Sequence, residues 1–191
     1  MADTGRQALA DHRALAEQIE QLLPIVDEIG RRLIETYESG GRLFSFGNGG
    51  SSCEAAHLAE ELMGRYRRER RPLAATSLSA EASVLTCIAN DYSFDEVFER
   101  QVRGLARAGD MVVGFTTSGR STNVVRGLAA ARELGATTVL FGGGDGRPAV
   151  DHADYALVVP SASAARVQEM QMLLLHVLLD PVDAWAAGET S

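Results

Sequence analysis

The chain has 191 residues, 46% of them hydrophobic and 23% charged, which is enough apolar material for one buried core and excludes global disorder. Eighteen basic against 26 acidic residues give a formal net charge of -8, so general nucleic-acid binding is not expected. Nineteen glycines against five prolines, without a repeat, exclude collagen-like and low-complexity architectures.

The opening MADTGRQALADHRALAEQ shows no basic segment followed by an apolar one, so no secretory leader is expected. Residues 1–40 read as helix, because Leu15, Ile19, Leu22, Leu23, Val26, Ile29, Leu33 and Ile34 recur at helical spacing. Pro24 suits the first turn of a second helix. We treat residues 1–40 as a helical extension that packs at a subunit interface, and residues 41–191 as the domain proper.

The pattern then changes. Leu43–Phe46, Leu73–Ser77, Met111–Phe115, Thr137–Phe141 and Tyr155–Val159 are short continuous apolar runs, the signature of strands buried on both faces. Between them lie helical segments at Ser52–Met63, Ala80–Ala89 with Asp95–Leu105, and Asn123–Leu134. The last gap, Gly142–Asp154, is glycine-rich and reads as a flexible turn. A final helix spans Ala164–Trp185, with a bend expected near Pro181. Strand–helix alternation predicts an α/β fold with a five-stranded parallel sheet covered by helices on both faces. The longest apolar stretch, Met172–Leu179, is interrupted by His176 and too short to cross a bilayer, so no membrane partner is expected. Cys53 and Cys87 form no motif, which suits a reducing, cytoplasmic setting.

In such sheets ligands bind beyond the carboxyl ends of the strands. The first strand leads into Gly47-Asn48-Gly49-Gly50-Ser51-Ser52 and the third into Thr116-Thr117-Ser118-Gly119-Arg120-Ser121. Small residues let backbone N–H groups approach an anion, the helix start favours negative charge, and hydroxyls add donors. Taken singly, each loop reads more simply as a tight strand–helix turn; side by side the two would make a phosphate cradle. Neither the dinucleotide fingerprint nor a GxxxxGK[ST] loop is present, so a nucleotide cofactor is not expected.

His57 and Glu61 stand four apart in His57-Leu58-Ala59-Glu60-Glu61 and share a helix face, a geometry for two ligands of one ion or for an acid and a base. Glu60 lies near the same face, so spacing alone does not choose between the two carboxylates. His176 sits in the most apolar helical run and must find a polar partner there. Gln168 is eight residues earlier, a rise of about 12 Å. The run Arg65–Arg71 holds five arginines in seven positions and reads as a solvated loop, with one arginine available to clamp a phosphate. Asn90-Asp91 reads as a helix-ending turn or as contacts to sugar hydroxyls.

Taken together, these residues resemble the sugar isomerase (SIS) domain family. The resemblance is carried by Gly47–Ser51, His57–Tyr66, Ala89–Tyr92, Thr116–Val124, Arg166–Glu169 and His176, in the family's order. It implies a flavodoxin-like doubly wound domain, a homotetramer, and active sites at subunit contacts. It implies isomerisation of a ketose phosphate, sedoheptulose 7-phosphate, to the corresponding aldose, with Glu61 and His176 as the acid–base pair. Substrate contacts would come from Asn48, Gly49, Gly50, Ser51, Arg65, Asn90, Asp91, Thr116, Thr117, Ser118, Ser121 and Gln168. Phosphate would fall to Ser51 and to the hydroxyls of the Thr116–Ser121 loop. It also implies one zinc ion per subunit on His57, Glu61, Gln168 and His176. Some members carry an acidic residue where this chain has Ala165, and the Gly142–Gly144 run differs from the usual start of that loop. The family also holds a non-enzymatic relative that associates with the replication initiator and shares Asp95–Val97 and Val102–Leu105; it lacks the acid–base pair that this chain has. Sugar-phosphate-sensing members usually carry an attached DNA-binding domain, which is not expected within these 191 residues.

Overall fold

The computed structural model describes residues 2–189, and the elements follow the alternation expected from the sequence. In chain order they are α1 (Ala2–Gln18), α2 (Leu23–Glu38), β1 (Leu43–Gly47), α3 (Gly50–Met63), β2 (Ala75–Ser77), α4 (Ala82–Asp91), α5 (Val97–Leu105), β3 (Met111–Phe115), α6 (Thr122–Glu133), β4 (Thr137–Gly143), β5 (Tyr155–Val159) and α7 (Ala164–Ala186). Short 3-10 turns link α1 to α2, precede α5 and precede β5.

The five strands are all parallel in the order β2-β1-β3-β4-β5. The chain steps outward from β1 to β2, then returns to the other side of β1 for β3. That reversal opens a crevice between the ends of β1 and β3, the place where ligands bind in doubly wound sheets. Successive side chains point to opposite faces, so β1, β3 and β4 each feed two cores. Met111, Val113 and Phe115 join the core under α1, α2, α3 and α7, while Phe44, Phe46, Val112 and Leu140 join the one under α4, α5 and α6.

The first two helices do not stand apart from the domain. Leu15, Ile19, Val26, Ile29 and Leu33 belong to the same core as the strands. His12 Nδ1 meets Glu169 Oε2 at 2.7 Å, and Arg166 donates to the Ala8 carbonyl at 2.6 Å, tying α1 to α7. Two predicted boundaries move. The second strand begins at Ala75 rather than Leu73, because pairing with β1 starts at Leu43 opposite Ala75. β4 continues through Gly142 and Gly143, which pair with Val158 and Val159, so the glycine run is partly strand rather than a free turn. Pro181 lies inside α7, which runs as one helix from Ala164 to Ala186. No helix among the described residues is long and apolar enough to cross a membrane.

Candidate active site

The loops after β1 and β3 meet at the crevice. Gly49 ends the first loop at φ +56, a backbone region open to glycine, and α3 begins at the next residue. The loops are joined by a reciprocal amide pair: Asn48 Nδ2 donates to Asn123 Oδ1 at 2.8 Å, and Asn123 Nδ2 to Asn48 Oδ1 at 2.9 Å. In the second loop Thr116 Oγ1 accepts from the backbone of Ser118 at 3.4 Å and of Gly119 at 3.3 Å, which curls the loop over its own start. A cleft of about 240 Å³ lies between them, lined by Asn48, Gly50, Ser51, Phe115, Thr116, Thr117, Ser121, Ala164 and Gln168. Two helix N-termini, α3 and α6, start at its rim, which favours an anion.

Gln168 enters the cleft because position 50 has no side chain. A Cβ on Gly50 would lie 2.2 Å from Gln168 Nε2. From that contact α3 and α7 pack against each other. Two turns further along both helices comes the second half of the site.

There His57, Glu61 and His176 bring one donor atom each to within 4.8 Å of one another. His57 Nε2 lies 3.1 Å from His176 Nε2 and 3.5 Å from Glu61 Oε1. The structure separates the two carboxylates that spacing left equivalent. Glu61 faces the histidine pair with its side chain 16% exposed, whereas Glu60 is 68% exposed and lies 3.5 Å from the other ring nitrogen, Nδ1, of His57. Burial lowers the pKa of His176, the neighbouring His57 lowers it further, Glu61 opposes the change, and Arg67 adds to it. A neutral imidazole is the form that ligates a metal or accepts a proton. The Tyr66 ring stacks on His176 at 5.7 Å and 16°. Two imidazoles and a carboxylate are a donor set suited to zinc with a coordination position left open. Gln168 lines the cleft, eight residues and a rise of about 12 Å before His176 on α7.

The remaining expected residues lie elsewhere on this chain. Ser118 is exposed on the second loop and Gly49 on the first, both at the cleft rim. Arg65 is exposed and pairs with Glu69 at 3.5 Å. Asn90 and Asp91 close α4, exposed, with Asn90 Nδ2 donating to Asp91 Oδ1 at 2.8 Å. Arg65, Asn90 and Asp91 do not line the cleft of their own chain.

Two buried polar residues beside the site were not singled out from the sequence. Gln171 is fully buried on α7 and donates to the Thr116 carbonyl at 3.2 Å, pinning the end of β3. Glu54 is 4% exposed on α3, and neither carboxyl oxygen has a hydrogen-bond partner. Burial pushes its pKa from 4.5 to about 7, and the Ser51 hydroxyl lies near enough to oppose the rise without forming a well-made bond. Between those two values the folded chain keeps a proton that the unfolded chain has released. Stability therefore falls as pH rises through this window and levels above it, by up to about 3 kcal/mol. Glu54→Gln removes that term. In urea melts the variant and the unsubstituted protein should agree near pH 5 and diverge toward pH 8, the variant being the more stable. Parallel curves across the range would show that Glu54 does not hold the proton.

Comparison with known proteins agrees with this architecture. The SIS domain pattern matches residues 9–143. A phosphoheptose isomerase of Roseiflexus sp. is 46% identical over 165 residues, covering 86% of this chain and 84% of the relative. One from Helicobacter pylori is 43% identical over 178 residues, covering 93% of each. Among solved structures, the phosphoheptose isomerase of Neisseria gonorrhoeae superposes with a TM-score of 0.90 at 34% identity, covering 96% of this chain and 98% of that one. The chain belongs to the SIS domain family, on its phosphoheptose isomerase branch.

Proposed function

We propose that this protein converts sedoheptulose 7-phosphate to the aldose D-glycero-D-manno-heptose 7-phosphate by moving a proton from C1 to C2 through an enediol. The observation that carries the reading is the layout of one helix pair. A hydroxyl-lined cleft sits at the N-terminal ends of α3 and α7, and an acid–base cluster sits two turns on, about 10–12 Å along the axes. A phosphate held at one end of a seven-carbon sugar leaves its carbonyl end near the cluster.

In this reading Ser51, Thr116, Thr117, Ser118 and Ser121 hold the phosphate, with Asn48, Gly49, Gly50 and Gln168 shaping the cleft around the sugar. Glu61 takes the C1 proton as a carboxylate, and His176, neutral at rest, moves protons at the C1 and C2 oxygens and at C2. His57, Glu61 and His176 would hold a zinc ion, which when bound polarises the carbonyl.

Arg65, Asn90 and Asp91 reach a site from a neighbouring subunit of a homotetramer. Supporting this, α4 is largely apolar yet buries only Ile88 within one chain, and Val84, Tyr92 and Phe94 stand exposed beside Asn90 and Asp91. Free Cys53 and Cys87, both exposed, suit the reducing cytoplasm to which we assign the protein.

The test is isomerase activity on sedoheptulose 7-phosphate, with the purified protein zinc-loaded and chelated. Turnover that disappears on chelation and returns with zinc is the expected result. Turnover indifferent to chelation would remove the metal from the reading, and absence of turnover in both states would overturn the reading itself.

A further inference from the structure

The arginine run after α3 is not all solvated. Arg70 is buried against Asp183 of α7, each side chain 1% exposed, with Nε donating to Oδ1 at 2.8 Å. The rest of the guanidinium faces the end of α3. Nη2 donates to the Glu61 carbonyl at 2.6 Å and Nη1 to the Leu62 carbonyl at 2.9 Å. The last carbonyls of a helix have no partner inside it and attract positive charge, so Arg70 caps α3. The second oxygen of Asp183 accepts from the backbone N–H groups of Arg67 at 3.2 Å and Arg68 at 2.9 Å.

We propose that Arg70 and Asp183 form a positioning pair that sets the placement of Glu61 and Tyr66 against His176. This inference rests on the isomerase reading above. Asp183 follows His176 by seven residues, so the two share a face of α7, about 10 Å apart along its axis. On the other side the guanidinium grips the backbone of Glu61 itself. The two N–H groups held by Asp183 directly follow Tyr66, whose ring lies on His176. One buried pair thus fixes the backbone of the base, the ring over the histidine, and the helix that carries the histidine.

A buried ion pair is a poor choice if only cohesion is needed, because apolar side chains of similar volume often serve as well or better. What a planar guanidinium fork adds is direction, with each N–H aimed at one acceptor. Reaction rates depend steeply on such placement.

The test compares Arg70→Lys with the double variant Arg70→Met/Asp183→Leu. The double variant leaves no unpaired buried charge, and the lysine variant keeps the charge while losing the fork. Melting temperature, kcat and KM on sedoheptulose 7-phosphate, and Zn²⁺ affinity by competition with a chromogenic chelator are measured for each. Both variants should stay folded with KM little changed. Their kcat should fall by about 10²-fold, as expected for a misplaced reacting group. Zinc should bind about 10–100-fold more weakly, the usual effect of losing an outer-shell support. Folded variants whose kcat and zinc affinity match those of the unsubstituted protein would overturn the proposal. Turnover by the unsubstituted protein tests the isomerase reading; the ratio of variant to unsubstituted protein, in zinc affinity as well as kcat, tests the positioning pair.

Discussion

Glu61→Gln and His176→Gln should each lower turnover of sedoheptulose 7-phosphate by about 10²–10⁴-fold, the range that a positioned proton-transfer group supplies. Glutamine keeps nearly the shape of glutamate and offers an amide oxygen, but it cannot take a proton from carbon. In place of His176 it removes the one imidazole that faces both Glu61 and His57. His57 is the other imidazole of the cluster, with one ring nitrogen 3.5 Å from Glu61 and the other 3.5 Å from Glu60. Neither change opens a cavity, since glutamine is about as large as what it replaces, so folding and assembly should persist. The pH profile separates the two roles. Burial and the neighbouring His57 lower the pKa of His176, so it becomes protonated only below the ordinary imidazole range. The acidic limb of the unsubstituted enzyme should accordingly lie low, and the residual activity of His176→Gln should lack the component due to that group. Steady-state kinetics with light scattering as the assembly control make the measurement. Full turnover in either variant would remove that residue from the chemistry.

The fold was legible where a residue's environment is written in its neighbours. β3 and β5 fall where continuous apolar runs placed them, because strands buried on both faces have no polar alternation to obscure them. The placement of the loops was legible for the same local reason: glycine and hydroxyl residues at a strand end mark a helix start, and the loops after β1 and β3 line one cleft. Pairings across the chain were not. Asn48 and Asn123 are 75 residues apart, and nothing in either neighbourhood announces the other. Glu54 looks like any helix-surface carboxylate until α3 is packed with it facing inward. Arg70 is hidden by composition, since it is one of five arginines in the run; two of them, Arg68 at 3.5 Å and Arg70 at 2.8 Å, meet Asp183, and only the fold buries the side chain of Arg70 to 1% exposure. Glu60 and Glu61 are adjacent in sequence and separated by 100° on the helix, so their division of labour waits for the position of His176.

Gly119→Ala should be the most damaging single methyl in the molecule outside the acid–base cluster. The residue sits at φ +71, where an L side chain costs about 1–2 kcal/mol. An added Cβ would also lie 2.2 Å from the backbone carbon of Gly146, and neither partner is a side chain that can swing away. The position is held from both sides, its N–H by Thr116 Oγ1 at 3.3 Å and its carbonyl by the Ala149 N–H at 3.1 Å. The turn after β4 is therefore, at Gly146, a contact surface for the second loop. Relief of the clash has to come from the loop after β3 or from the segment beneath it. We expect a loss of about 2–5 kcal/mol, overpacking added to backbone strain. The Michaelis constant should rise in the fraction that folds, because Thr117, Ser118 and Ser121 ride on the displaced loop. Gly144→Ala is the matched control: its φ is +68, but nothing lies within 4 Å of the added carbon. It should lose only about 1–2 kcal/mol, the backbone cost alone, with the Michaelis constant unchanged. Urea melts and substrate titrations on the two variants therefore separate strain from contact. If both lose the same stability, the packing of Gly119 on Gly146 does not support the loop, and the conformational requirement alone explains both glycines.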